Sequence, residues 1–379
     1  MRKYPIRILH VFGRLDRGGA ETMVMNLYRN IDKTKVQFDF IIHTKDECDY
    51  SQEIRDLGGN IYNISRYNGK NHLKYKKEWI EFFEQHREYK VVHAHMRSTA
   101  SIFIKIAKKY NITTIAHSHN TSSGKGISAF YKNLLQRNLK SLPDYKFACS
   151  LSAGSWLFGE KAIKKDNFYI VPNSIDMDKF EFNIENRKER RKKLSLDEES
   201  IIVGTVGRLT EQKNPFFILQ VMKYISNYNK NIKFLWIGTG ELHKSINEKI
   251  NELKLQDNII LLGSTPKVED YLQAMDIFLL PSLWEGLGIV VIEAQASGLP
   301  CIVSENIPQE AIISDLVEQV ELSKGFKQWG KEILNIAQGL NEHSRKQNKI
   351  DKELYDVNKT SKWIENFYLH LTEDENFNN

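Results

Sequence analysis

Short apolar runs alternate with segments whose apolar positions recur at helical spacing, and the alternation extends through most of the chain. In the first half the runs are Ile6–Phe12, Phe38–His43, Val91–His95, Thr113–His117 and Lys146–Ser150, with helical patterns such as Glu21–Arg29 and Lys74–Gln85 between them. A second series consists of Ile201–Val206, Phe234–Ile237, Ile259–Leu262, Ile277–Leu280 and Cys301–Ser304. Strands alternating with helices predict an α/β protein with parallel sheets built from βαβ units. Between the two series lies Glu181–Glu199, charged and poor in apolar residues. Its run Arg187–Lys193 predicts a solvent-facing helix after a linker. The domain junction is expected near residues 173–180, giving a first domain over 1–175 and a second over 176–354. Trp363, Ile364, Phe367, Tyr368 and Leu371 fall at helical spacing and predict a last helix from about Leu354 to Leu371. Thr372–Asn379 is polar and reads as a frayed end.

Composition narrows the class. With 379 residues, 41% of them hydrophobic, the chain is large enough for two cored domains. Three scattered cysteines (Cys48, Cys149, Cys301) form no CxxC pair, which argues against a disulfide framework or a cysteine zinc site and fits a reducing compartment. No stretch approaches the roughly 18 apolar residues of a membrane span. Ile6–Phe12 is too short and interrupted for a signal core, so a cytoplasmic location is expected. Residues 1–180 carry 30 Lys and Arg against 18 Asp and Glu, a net +12, and the remainder carries 24 against 30, a net −6. A basic half of this size suits an anionic membrane surface or another polyanion, and equally an ordinary solvated surface. Nucleic acid is disfavoured, because no nucleic-acid-binding module accompanies the charge.

The most informative stretch is 281–300, Pro-Ser-Leu-Trp-Glu-Gly-Leu-Gly-Ile-Val-Val-Ile-Glu-Ala-Gln-Ala-Ser-Gly-Leu-Pro. Asp276–Pro281 reads as a short buried strand ended by proline. A glycine-rich turn follows, and then a helix. Such a turn aims backbone N–H groups and the positive end of a helix at one point, where an anion binds. Gly286 and Gly288 leave room for close approach. Glu285 is expected ahead of the helix and Glu293 two turns inside it, flanking the anion. A phosphate bordered by polyhydroxy groups, as in a nucleotide sugar, fits this arrangement.

Glu285-x7-Glu293 followed by Ala-x-Ala-x-Gly-x-Pro resembles the donor-site signature of retaining glycosyltransferases of the GT-B fold, family 4. Three further segments match the family in order. Arg17-Gly-Gly-Ala-Glu21 resembles its first glycine loop, Val171-Pro-Asn-Ser-Ile-Asp176 its inter-domain segment, and Gly207-Arg-Leu-Thr-Glu-Gln-Lys-Asn214 its Arg…Lys phosphate clamp. Within the family the chain resembles bacterial exopolysaccharide and capsule transferases of the EpsF type. The resemblance implies two Rossmann-like domains with parallel sheets facing a cleft, and a C-terminal helix (about 355–379) that crosses back to the N-terminal domain. It implies a UDP-linked sugar donor, no cofactor, and a lipid-linked saccharide acceptor at the inner face of the plasma membrane. It places Arg208 and Lys213 on the leaving diphosphate, where arginine can fork two oxygens and lysine adds a point charge. No Asp-x-Asp follows an apolar strand at the expected place. The expectation is therefore metal-independent chemistry, with these cations and the amides of Gly286, Leu287, Gly288, Ile289 and Val290 in place of Mg²⁺. Glu293 is expected on the ribose and Glu285 on hydroxyls of the transferred sugar. Gly18 and Gly19 would let the backbone approach the diphosphate, although a plain tight turn also explains them.

Histidines gather at predicted strand ends: His93 and His95, then His117 and His119. Two such pairs could in principle supply metal ligands, but no metal site is expected. The resemblance puts His117 at the transferred sugar and reactive centre, with His119 and Asn120 lining the acceptor side. Strand register is expected to decide which histidine faces the cleft. Gly238-Thr-Gly240 resembles a second phosphate loop, and helix-entry glycines explain it equally well. Ser264–Val268 matches the stretch that cups the base. Lys125–Lys146, cationic and aromatic, reads either as a bilayer-facing segment or as an ordinary core helix. Ser174 stands where the family often has glycine, which would stiffen the hinge. The run after Ser304 lacks the glycine pair common near the donor, which leaves the sugar open. Two other readings remain: a non-catalytic GT-B partner of a transferase or glycan, and a GT-B nucleotide-sugar epimerase. A partner would be expected to lose the donor-site charges, all present here. No GxGxxG opens a βαβ unit, so a dehydrogenase is disfavoured.

Overall fold

The computed structural model describes residues 4–120, 135–197, 199–340, 345 and 355–373. The chain forms two compact units, residues 1–175 with 353–379, and residues 176–352.

The first unit holds a seven-stranded parallel sheet. In chain order the strands are β1 (Ile6–Val11), β2 (Val36–Ile42), β3 (Ile61–Asn63), β4 (Val91–Ala94), β5 (Thr113–Ser118), β6 (Tyr145–Ala148) and β7 (Phe168–Ile170). Their order across the sheet is β3-β2-β1-β4-β5-β6-β7. Every residue of β2 and β4 is buried, as expected for a parallel sheet covered on both faces. Alternation assigns the two faces. Leu9, Val11, Val92 and Ala116 pack with Trp79, Phe83 and Phe103, while Ile8, Phe12, Phe38, Phe40 and Ile115 pack with Tyr28, Ile364 and Tyr368.

Ile364 and Tyr368 belong to the last helix, Val357–Glu373, which lies beside the first helix, Gly19–Asn30, on this second face. The expected return of the C-terminal helix to the first domain is thus present. Ser174 contributes to it: its hydroxyl lies 2.6 Å from the Thr360 hydroxyl, and its carbonyl accepts from Asn26 Nδ2 at 3.2 Å. A glycine at 174 could not make the first bond.

The second unit holds a six-stranded parallel sheet: β8 (Ile201–Val206), β9 (Ile232–Ile237), β10 (Ile259–Gly263), β11 (Ile277–Leu280), β12 (Cys301–Ser304) and β13 (Val317–Val320). The order is β10-β9-β8-β11-β12-β13. Its core includes Phe234, Trp236, Leu279, Ile302 and Trp329.

Two expectations change. The Arg187–Lys193 run is not simply a solvated helix. In the helix Ile184–Lys193, Arg187 and Arg191 both reach the Asp276 carboxylate (2.6 and 3.2 Å), Arg190 reaches Asp270 (2.6 Å), and Arg191 is buried. Arg187 and Arg191 thus bind the carboxylate that immediately precedes β11. The Lys125–Lys146 reading falls partly on residues 121–134, outside the described residues. From 135 the chain makes a short turn at Arg137–Lys140 and enters β6, with Leu139 in the core. None of the described helices is long and apolar enough to cross a membrane.

Candidate active site

In each sheet the strand order reverses once, between β1 and β4 and between β8 and β11. Loops leaving neighbouring strands at such a point diverge and open a crevice beyond the strand carboxyl ends, the usual ligand position in open α/β sheets. In the second unit the loop after β8 carries Arg208 and Lys213. The loop after β11 carries Glu285, Gly286 and Gly288.

The two loops are stitched together. Leu283 N–H donates to Gln212 O at 2.8 Å, and the Gln212 side-chain amide donates to Trp284 O (2.9 Å) and Glu285 Oε2 (3.2 Å). Glu285 Oε1 accepts from Lys213 Nζ and from the Ser282 hydroxyl, each at 2.7 Å. Ser304 Oγ fixes Ser282 O at 2.7 Å. Lys213 and Glu285 are both largely buried, so each is held by its partner. Arg208 is exposed, and its guanidinium has no partner among the described residues.

Gly288 has φ 83° and precedes the helix Ile289–Ala296. A side chain there would be strained, and the turn directs the first-turn amides of Ile289 and Val290 outward, since a helix start lacks carbonyl acceptors for them. Glu293 is the fifth helical residue, a little over one turn in rather than the two turns expected. It is buried. Desolvation, helped by repulsion from Glu269 and opposed by Lys213, pushes its carboxyl up to about 7. Gly238 has a packing reason of its own: a Cβ there would sit 2.2 Å from Gly207 O. It lets the loops after β8 and β9 touch.

In the first unit the same topological point is lined by histidines. His10 on β1, His93 on β4 and His117 on β5 share one sheet face, with His95 and His119 just beyond the strand ends. Residues two apart share a face, so a register slip would turn His117 and His119 together. Depth distinguishes them instead: His117 is 3% exposed and His119 half-buried. The rings stack into a ladder, with His117 and His119 centroids 4.0 Å apart.

Two hydrogen-bonded chains run through the ladder. One joins His10 Nδ1 to His95 Nε2 (2.9 Å) and His95 Nδ1 to His119 Nε2 (2.8 Å). The other joins Tyr368 Oη to His93 Nδ1 (2.6 Å) and His93 Nε2 to His117 Nδ1 (3.2 Å). Burial lowers His10 and His119 to about 3 and holds His93, His95 and His117 well below the ordinary imidazole range. The ladder is therefore neutral at physiological pH. The triplets His10/His93/His95 and His95/His117/His119 each offer nitrogens within 4.8 Å of one another, near enough to hold a transition-metal ion. Their linked nitrogens lie at hydrogen-bonding distance, closer than the roughly 3.4 Å that two tetrahedral ligands at 2.0–2.1 Å from zinc would keep.

At the start of the first helix, Gly18 has extended φ of −134°, and a Cβ on Gly19 would meet nothing within 4 Å. A Cβ on Gly18 would press on the Glu21 carboxylate, whereas the space beside Gly19 is open. Asn120 follows His119 and is half-buried.

The chain is similar to known proteins. Residues 17–179 match the model described as Glycosyltransferase Family 4, and residues 186–349 that of Glycosyl transferases group 1. The putative glycosyltransferase EpsF of Bacillus subtilis is 32% identical over 340 residues, 87% of this chain and 88% of the relative. The chain belongs to the family 4 glycosyltransferases. A 29% identical relative over 61% of the chain and 62% of its own length is the Escherichia coli UDP-Gal:alpha-D-GlcNAc-diphosphoundecaprenol alpha-1,3-galactosyltransferase. Anabaena HepE in complex with UDP and glucose shares the fold at 13% identity, with TM-score 0.77 over 96% of this chain and 99% of that one. The enzyme thus has the GT-B architecture.

Sequence reasoning missed three residues of this transferase. Gln212 and Ser282 hold Glu285, yet glutamine and serine in loops carry no pattern that marks them; only the pairing of the two loops does. His10 sits in the first apolar run, where its neighbours read as core.

Proposed function

We propose that the protein is a retaining, metal-independent transferase that moves a hexose or N-acetylhexosamine from a UDP-sugar to a lipid-linked oligosaccharide in exopolysaccharide or capsular polysaccharide biosynthesis. One observation carries this reading: Lys213, locked to Glu285 at 2.7 Å, stands with exposed Arg208 and an outward-facing helix start at the switch point of the second sheet. Arg208, Lys213 and the amides of residues 286–290 stabilise the diphosphate as the anomeric carbon–oxygen bond breaks. The acceptor hydroxyl then bonds to that carbon on the same face, and its proton passes to the departing phosphate oxygen. No protein nucleophile is needed. Glu285, held by three donors, orients the sugar hydroxyls, and Glu293 accepts from the ribose diol. His117 contacts the transferred sugar, while His119 and Asn120 meet the acceptor. The UDP donor and lipid diphosphate acceptor named for the E. coli relative support the substrate class, as does UDP in the HepE complex. The basic first half suits a peripheral position on the cytoplasmic face of the membrane.

Calorimetric titration with UDP, GDP and ADP, repeated in EDTA, tests the reading. Selective UDP binding that survives chelation is expected. Absence of nucleotide binding would overturn it in favour of a non-catalytic partner protein.

A further inference from the structure

We propose that Tyr368, on the last helix, is a positioning residue that fixes the tautomer of His117 through His93, so that His117 presents Nε2–H as a donor. Its functional half rests on the transferase reading above; its structural half does not.

A neutral imidazole carries one N–H and one lone pair, so a chain of hydrogen-bonded neutral histidines has a direction. One end of this chain is anchored. Tyr368 is fully buried, and among the described residues the only group that its hydroxyl meets at hydrogen-bonding distance is His93 Nδ1, at 2.6 Å. Either direction leaves one hydrogen without an acceptor, the hydroxyl's or that on His117 Nε2, so the strength of the bond decides. A phenol O–H is a stronger donor than an imidazole N–H, the imidazole nitrogen is the better acceptor, and 2.6 Å lies below the roughly 2.7–3.2 Å of N–H···O bonds. The hydroxyl therefore donates, which leaves the lone pair on His93 Nδ1 and the proton on Nε2. His93 Nε2–H donates to His117 Nδ1 at 3.2 Å, and the His117 proton is left on Nε2. That nitrogen is buried without a partner among the described residues, a donor waiting for an oxygen. A hydroxyl of the transferred sugar is the matching group.

The parallel chain shows what anchoring adds. His10 Nε2 and His119 Nδ1, its two ends, both lack a partner among the described residues. Either direction satisfies its two internal bonds equally, so nothing in it selects a tautomer. The two chains stack face to face, with His93 and His95 centroids 4.3 Å apart, yet only the one that reaches Tyr368 is polarised.

The test is long-range ¹H–¹⁵N correlation on the full chain with ¹⁵N-histidine, in EDTA. In the wild type, His93 and His117 should both carry the proton on Nε2. Finding either with an Nδ1 proton, or as imidazolium, overturns the proposal. This needs no substrate and no variant, so it stands apart from the transferase reading. In Tyr368→Phe, which keeps the ring, each direction leaves one N–H bare, and His117 should become a tautomer mixture. Equal populations halve the competent fraction, so kcat should fall by roughly twofold or more. KM for the nucleotide sugar should hold, because the ribose and diphosphate contacts are untouched. A single retained His117 tautomer in this variant, or mixed tautomers with unchanged kcat, would remove Tyr368 from the positioning role.

Discussion

The two units place polar side chains at the same topological point of their sheets and bury them in opposite ways. In the second unit the buried groups are charged: Lys213 against Glu285, with Glu293 close enough to feel the lysine. In the first they are neutral: five imidazoles joined at 2.8–3.2 Å. Buried charge is tolerable when paired and hydrogen-bonded, and under the proposed function it stands where the diphosphate leaves. Buried imidazoles can lie side by side only if uncharged, and what they then offer is directed hydrogen bonding. On the proposed reading, the comparison gives charge neutralisation to one sheet and orientation to the other.

The largest expected effect breaks the charged half. Glu285→Ala removes the group that holds Lys213 and the expected contact with the sugar, and sugar transfer should fall about 100- to 1000-fold, the scale seen for losing one transition-state donor. A turnover assay against a lipid-linked acceptor reads it. Near-normal turnover would dissolve the distinction between the two halves.

A middle-sized effect sharpens it. The Glu293 carboxyl sits near 7 because of burial, and a ribose diol donates to the ionised form. Nucleotide affinity should therefore drop as pH falls, by about tenfold from pH 8 to pH 6 for this one group, since its ionised fraction changes by that factor. Glu293→Gln should lose that component, visible as the difference between the two calorimetric pH profiles. Over the same range the histidine ladder, with His10 and His119 near 3, should not titrate.

The smallest effect concerns the surfaces. The half with net +12 should hold the protein on vesicles of anionic lipid at low salt, and the bound fraction should decline severalfold at high ionic strength, where surface charges are screened. Binding to neutral vesicles that ignores salt, or no binding, would show that the charge asymmetry is only solvation.

Legibility followed burial and length. The central strands were readable because long apolar stretches in a doubly covered sheet leave a strong signal. The strands β3, β7 and β13 were not anticipated: they are three or four residues long, lie at sheet edges and are largely unburied. The Arg187–Lys193 run looked solvated because composition does not show that Asp276 and Asp270 wait in the next layer. Glu285 and Lys213 were each singled out, but their ion pair was not, because 72 residues separate them. The histidine ladder was visible as two H-x-H pairs. His10 and Tyr368 belong to it only because β1 and the last helix flank β4.

The sequence by itself determined the alternation of strand and helix, the glycine turn at 286–288 and the presence of Arg208, Lys213, Glu285 and Glu293. Local spacing writes these directly, and they carry the resemblance to family 4. Tertiary structure alone decided where each sheet reverses its strand order, which carboxylate each cation meets, and that a tyrosine from the far end of the chain closes a histidine chain. Those facts depend on strand order and packing between segments distant in sequence, and no local pattern encodes them.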